Sequence, residues 1–577
     1  MRKPPTSEWL IGPRASRPAL MSGPGGPRSG KAPLFAGSAP LQWRSSLLAP
    51  ASMSGTGVPR SQRIRRKLLA VAAALTGFAA APATAATLKV YLDADIRSTD
   101  PGVNRDGNTD AVVLHMVEGL VGYDARGLPK PLLAESIDVS PDGLTYTFKL
   151  RPGVKFHNGE TLTADDVVWS WNRYLNPKTG WRCLTDFNGQ IDLKVESVTA
   201  VDPRTVAIRI NQPSPLFLAN IARSDCGMTA ITHRSSLKAD GSWDKPIGTG
   251  PFKLAEWRQR EFVSLARFDE YSNPGTKPDG YVGSKRPLVD EVRFIVISDP
   301  ATARAAFVRG DIDILPRLPY SEAHELKANP NVAISVQPGF AATTFTLQTR
   351  DKLLSNVKLR QAIASAIDYD ELVGSVTYDL TTPNNSLVPI TSLFHTDVQK
   401  KGFRHDPALT KKLLQEAGYK GETLKIITNK RNQANFDTAI ILQAMLQAAG
   451  IKAEVEVLEW GVQTDRWQKG NYQIMAFSYS SRMDPALNYE AVMGPKDSQP
   501  RKLWEDKAAL DTLAEATDET RSEARQKLFD RLHTAMIDQV PIIPLFSTAT
   551  AGASRKNVVG YSSNVFGAPL LWEVEKR

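Results

Sequence analysis

Between residues 144 and 151 the chain alternates strictly, with Leu144, Tyr146, Phe148 and Leu150 apolar and Thr145, Thr147, Lys149 and Arg151 polar. A period of two puts one apolar face on a strand. Asp142-Gly143 opens this strand and Pro152-Gly153 breaks it. Extended chain resumes over residues 154–156, and Asn158-Gly159 is the kind of pair that supplies the positive φ of a tight turn. The segment therefore reads as hairpins. Thr163 stands three residues before Asp166, a Thr-x-x-Asp variant of the capping box in which both side chains can accept from free helix-start amides. A helix is predicted from there, with Val167, Val168, Trp171 and Leu175 on one face and a stop at Asn176-Pro177.

The same periods organise the rest of the chain. Residues 195–201 and 205–210 alternate as strands around Asp202-Pro203, so the first part is rich in β-structure. Residues 292–297 form a β-branched strand ended by Asp299-Pro300. A short helix over 301–309 stops at Gly310, and a strand follows over 312–315. Helices are predicted over 357–367, 407–417, 436–449 and 518–540, and strands over 424–428, 452–458 and 542–546. This β-α-β order implies a parallel or mixed sheet flanked by helices, hence an α/β fold. Gly248-Thr249-Gly250 is followed by Pro251 and lacks a Lys-Ser/Thr pair, so it reads as a tight turn and not a phosphate loop.

Several stretches carry a family resemblance. They are SPDGLTYTFKLRPGVKFHNG (140–159), the TADDV helix start, IGTGPF (247–252), LRQAIASAID (359–368) and DPALTKKLLQEAGY (406–419). With these the chain resembles the extracytoplasmic solute-binding proteins of ABC importers, in the peptide, dipeptide and nickel-binding family, over nearly everything after residue 88. The resemblance implies a two-lobed periplasmic binding protein fold with a hinge and an interlobe ligand cleft, acting as a monomer that feeds the transmembrane subunits of a permease. On this reading residues 86–312 begin the first lobe, 313–540 form an inserted α/β second lobe, and 541–577 return to the first.

Charge changes the picture only by its location. The net charge of +10 suggests a nucleic-acid partner, but residues 1–85 hold 12 basic side chains and one acidic one, Glu8. The remainder has 59 basic and 60 acidic groups, a net of −1, which gives no support for a phosphate-binding surface. Residues 1–52 are Pro, Gly, Ser and Arg without periodicity, and read as a disordered upstream extension. From Met53, five basic residues precede an apolar run over 68–81 and the small-residue site Ala83-Thr84-Ala85, the pattern of a cleaved signal peptide over 53–85. The run would be about 21 Å long as a helix, short of a bilayer core of about 30 Å. Arg65-Arg66 raises twin-arginine export, but Ile64 does not suit that motif, so general secretion is preferred. Export to an oxidising compartment favours a disulfide between the only two cysteines, Cys183 and Cys226, over two separate buried thiols.

Candidate chemistry is sparse. The seven histidines show no HExxH spacing and no Cys-His cluster, no GxSxG elbow occurs, and helix capping accounts for Asp165-Asp166. No catalytic residue, metal or cofactor is expected. The resemblance supplies the binding residues. Trp460, closing the strand VEVLEW, resembles the Trp that lines the cleft of dipeptide binders, and strand ends are where α/β clefts form. Arg431 matches the Arg those relatives use on the peptide carboxylate, for which a guanidinium is the right fork. Without the resemblance, an exposed loop charge beside Lys430 is the better reading of Arg431. FSYSSRMDPALNY (477–489) matches a cleft segment and brings Tyr479 into the expected site.

That segment departs from the family, because the Asp that peptide binders place four residues before the Pro, gripping the ligand amine, is Ser481. A hydroxyl brings no charge and loses part of the roughly 1.5–3 kcal/mol of a charged hydrogen bond. Arg482 adds a cation, and Asp484 either points to the cleft or caps the turn beside Pro485. The expected ligand is a peptide or peptide-like carboxylate such as glutathione, with a dispensable free amine. Two readings compete with a transport protein: a secreted peptide hydrolase, which would need a nucleophile-base pair, and a ligand-loaded sensor adaptor.

Overall fold

A computed structural model describes residues 86–103, 106–190 and 193–577, so the upstream extension and the signal peptide lie outside the described residues. The alternating stretch forms the strand Thr145–Leu150, burying Tyr146, Phe148 and Leu150. It lies inside a four-stranded antiparallel sheet between Ala134–Val139 and Thr205–Ile210, with Val195–Asp202 at the edge. The helix Ala164–Leu175 packs Val167, Trp171 and Tyr174 inward. At its start the Asp166 carboxylate accepts from the Thr163 amide at 2.9 Å and the Thr163 hydroxyl at 2.8 Å. In the Asn158-Gly159 turn only Gly159 takes a positive φ, +86°. Gly248 and Gly250 serve close backbone approach and not a positive-φ turn: a Cβ there would lie 2.2 Å from the Met116 carbonyl oxygen and 2.5 Å from that of His115. Cys183 and Cys226, both buried, are joined by a disulfide.

A mixed ten-stranded sheet runs through the whole described chain. Its order is Ala453–Val457, Leu424–Thr428, Ile474–Tyr479, Val332–Leu347, Ile542–Arg555, Ile314–Leu318, Thr87–Leu92, Glu291–Val296, Phe262–Arg267 and Phe252–Arg258. Leu424–Thr428 pairs parallel with both Ala453–Val457 and Ile474–Tyr479 in the β-α-β region, as the pattern implied, and Thr87–Leu92 pairs parallel with Glu291–Val296 and Ile314–Leu318 at the other end. Two strands, Val332–Leu347 and Ile542–Arg555, are far longer than the others and pair antiparallel at the sheet's centre. Residues 332–338 pair with 549–555 and residues 342–346 with 542–547, with the register shifting between Pro338 and Ala342. The apolar core divides on either side. One cluster gathers residues 88–294 with the C-terminal Leu571, Trp572 and Val574, and two others fill the space within residues 345–546. The molecule is thus an α/β protein whose cores form two lobes, with the two long strands running through the sheet they share.

Three sequence expectations are corrected. The helix expected over 518–540 starts four residues later, as Ser522–Gln539, because Asp518 ends a preceding helix, Lys507–Asp518. Glu519, extended between them, accepts from the Arg521 amide and guanidinium, both at 2.8 Å, which anchors the start of the second helix and breaks the run. The helix expected over 357–367 ends at Ser365. The strand expected over 542–546 continues to Arg555, because Ser547, Thr548 and Thr550 end the apolar run without ending the pairing. Among the described residues no helix is long and apolar enough to cross a membrane.

Candidate functional site

Leu424–Thr428 ends at a turn whose first residue, Asn429, is buried and whose Lys430, Arg431 and Asn432 are exposed. Asn429 accepts from the amides of Arg431 at 2.9 Å and Asn432 at 3.3 Å, a side-chain turn that fixes the backbone locally. Its Nδ2 donates to Gln463 Oε1 at 2.7 Å, and Gln463 in turn donates to the Ala476 carbonyl at 3.2 Å. The loop is therefore pinned to the neighbouring strand. Arg431 emerges from it with its guanidinium 5.5 Å from the centre of the Trp460 ring, a cation–π distance. Among the described residues no carboxylate pairs with Arg431.

Trp460 does not close a strand. The strand ends at Val457, and Trp460 is the first residue of the helix Trp460–Lys469. Leu458 still bonds to the Thr428 carbonyl at 2.8 Å, so the chain leaves the sheet edge and turns at once into a helix. The indole stacks on Phe477 at 6.3 Å between centroids. Arg431 and Trp460 share the wall of a cavity of about 860 Å³ with Asn435, Ser478 and Thr343, closed on the other side by residues 318–321.

Ser481, Arg482 and Asp484 line a second cavity, of about 750 Å³, between their own loop and the first-lobe residues Asp110, Arg223 and Ser224. Ser481 is exposed. Arg482 donates to the Ser480 carbonyl at 3.1 Å and lies 5.9 Å from the Tyr479 ring centre. Burial, with Arg501 nearby, lowers its affinity for its proton. Among the described residues no carboxylate pairs with it. Tyr479 is buried beneath, burial pushing its hydroxyl up to about 12 against the opposing pull of Arg482 and Trp467, and it lines neither cavity. Met483 reaches across to the first lobe: a Cβ on Gly127, held at φ +77°, would lie 2.6 Å from Phe340 and 3.3 Å from the Met483 sulfur.

Of the two alternatives for Asp484, capping is the one observed. It accepts from the Ala486 amide at 2.9 Å, starting the helix Pro485–Val492. It is also gripped by both terminal nitrogens of Arg525, at 2.7 and 2.8 Å. Its charge is thus neutralised inside the protein. Facing it, Asp110 pairs with Arg182 at 2.9 Å, yet burial outweighs that partner and pushes its carboxyl up to about 7.

The structure therefore splits the expected set. Arg431 and Trp460 face one cavity, Ser481 and Arg482 another, and Tyr479 supports Arg482 from below. Sequence reasoning missed Asn429, Asn435 and Asp110. The first two lie in the polar run NKRNQAN, where an Asx turn and a helix cap were the only visible signals. Asp110 has no local signature at all.

Residues 129–498 match the family described as bacterial extracellular solute-binding proteins, family 5 middle. The glutathione-binding protein GsiB of Escherichia coli O1:K1 is 26% identical over 510 residues, covering 86% of this chain and 96% of the relative. Among solved structures, HbpA2 of Haemophilus parasuis superposes with a TM-score of 0.74 at 25% identity, covering 85% of this chain and all of its own. DppA of Helicobacter pylori, in complex with the peptide STSA, superposes with a TM-score of 0.64 at 25% identity, over 85% of this chain and 98% of its own. The family match spans well over half of the chain, and the two-lobed fold agrees with it: this protein belongs to the bacterial extracellular solute-binding proteins of family 5.

Proposed function

We propose that the protein is exported by its signal peptide, binds a small peptide-like carboxylate between its lobes as a monomer, and delivers it to the transmembrane subunits of an ABC permease. The observation that carries the ligand class is the pair of arginines without carboxylate partners, Arg431 and Arg482, on the second-lobe walls of the two cavities. A guanidinium left without a protein carboxylate is suited to a ligand's. Arg431 takes one acidic group, Arg482 a second, and Ser481 leaves a free amine dispensable. A glutathione-binding relative is consistent with such a ligand.

Closure turns about the crossing strands. The register shift between Pro338 and Ala342, opposite residues 547–549, is the hinge in this reading. In this reading the lobes meet there, whereas the resemblance implied boundaries at residues 312 and 541. Between them, Ile314–Leu318 still pairs with Thr87–Leu92, which supports this placement.

Native mass spectrometry of protein purified from its source identifies the bound ligand. Calorimetry then compares ligand pairs differing only by N-acetylation or C-amidation. Losing the Arg partner of a buried carboxylate costs about 2–5 kcal/mol, so Arg431→Ala is expected to weaken binding about thirty-fold or more. Tight binding that requires the free amine but tolerates C-amidation would overturn the proposal.

A further inference from the structure

We propose that Asn435, with the open amino end of its helix, completes the carboxylate seat of Arg431 and is a specificity-determining residue of this protein. The inference rests on the reading that the Arg431 cavity takes the ligand's carboxylate.

The helix Gln433–Ala448 has no acidic residue in its first turn, so its positive end is not offset from within. Its cap, Asn432, accepts only from the Asn435 amide, at 3.3 Å, which leaves the amides of Gln433 and Ala434 without an intrahelical partner. Both of those residues line the Arg431 cavity. A helix end of this kind favours an anion, but it does not by itself define a site.

Asn435 is the second and independent observation. It is 3% exposed and lines the same cavity. Its Oδ1 accepts from the Ser478 hydroxyl at 2.8 Å, while its Nδ2 has no partner among the described residues. Ser478 is held in turn by Thr343 at 3.0 Å, and Thr343 by Thr548 at 3.2 Å. With Oδ1 turned to Ser478, Nδ2 is the end of the amide left for the cavity. Asn435 therefore presents an unspent donor to the cavity that Arg431, Gln433 and Ala434 also line. Together they offer donors of three kinds, and an ionised carboxylate, with about four lone-pair positions and no proton to give, matches them. A carboxamide in the same place would set an N–H against the Asn435 N–H, so the seat rejects the amide form even where Arg431 tolerates it.

The test compares wild type, Asn435→Asp, Ser478→Ala and Arg431→Ala by calorimetry, with glutathione and the peptide Ser-Thr-Ser-Ala as probes, each as free acid and as C-terminal amide. Asn435→Asp keeps the shape and the Ser478 bond, and adds a negative charge where the helix end tolerates one, so folding is retained. It is expected to weaken binding of the acids at least as much as Arg431→Ala, about thirty-fold or more, and of the amides less than about threefold. Ser478→Ala, which frees the amide to turn over, is expected to lower the acid-over-amide ratio with a smaller loss of affinity. An acid-over-amide ratio in Asn435→Asp equal to that of wild type would overturn the inference while leaving the Arg431 reading intact. Wild-type protein that binds neither probe, or prefers the amides, would overturn both.

Discussion

The role of Asp484 is open to a direct test, through Asp484→Asn. Asparagine keeps an oxygen for the Ala486 amide and is as good a helix cap as aspartate, so the helix start is preserved. The substitution removes only the negative charge gripped by Arg525, a pair whose side chains are 12% and 8% exposed. Breaking a buried pair from one side costs about 3–5 kcal/mol, because the surviving charge is left uncompensated. Arg525 retains the Ala516 carbonyl at 2.8 Å and lies 5.5 and 5.2 Å from the ring centres of Phe394 and Phe529. Those contacts favour the lower figure, about 3 kcal/mol. If the roughly 490 described residues unfold together at about 2.1 cal/mol/K each, that loss lowers Tm by about 3 °C; if the second lobe, about 200 residues, melts alone, by about 7 °C. Scanning calorimetry measures it, and Asp484→Asn combined with Arg525→Gln is expected to cost less than the two single changes summed. An unchanged Tm in Asp484→Asn together with a tenfold loss of glutathione affinity would refute the reasoning and return Asp484 to the ligand.

Two further outcomes follow from buried groups. The Cys183–Cys226 bridge closes a loop with a sequence separation of 43, so replacing both cysteines by alanine is expected to cost about 4 kcal/mol in denaturant unfolding; free thiols titrating in the native exported protein would contradict this. Burial holds His115 and His157 neutral, each pushed down to about 4 from the ordinary 6.5. The folded state then binds fewer protons than the unfolded one, so this stability is present above about pH 6.5 and is lost as pH falls toward 4. His115 accepts from the Leu571 amide at 3.2 Å and packs on Trp572, so hydrogen-exchange protection factors around residues 571–574 are expected to fall early on acidification. Protection factors there that stay unchanged between pH 6.5 and 4 would rule this out.

What the sequence determined is what short-range physics writes into it. Alternation at residues 144–150, the Thr163–Asp166 cap and the β-α-β order each depend on neighbours within a few positions, and each has a counterpart in the fold. The family motifs were legible for the same reason, being runs of adjacent residues. Tertiary structure decided the rest. Asp484 had two plausible roles until Arg525, 41 residues away, took its charge. Trp460 reads as a strand end in VEVLEW, because apolar alternation does not register that the chain leaves the sheet at Val457 and turns into a helix. Asn435 looks like one more polar residue at a helix start. Its Oδ1 meets Ser478, which Thr343 and Thr548 hold in turn, and the three hydroxyls sit on three different strands. Burial and long-range pairing depend on which strands meet, and no local pattern of apolar and polar positions encodes that.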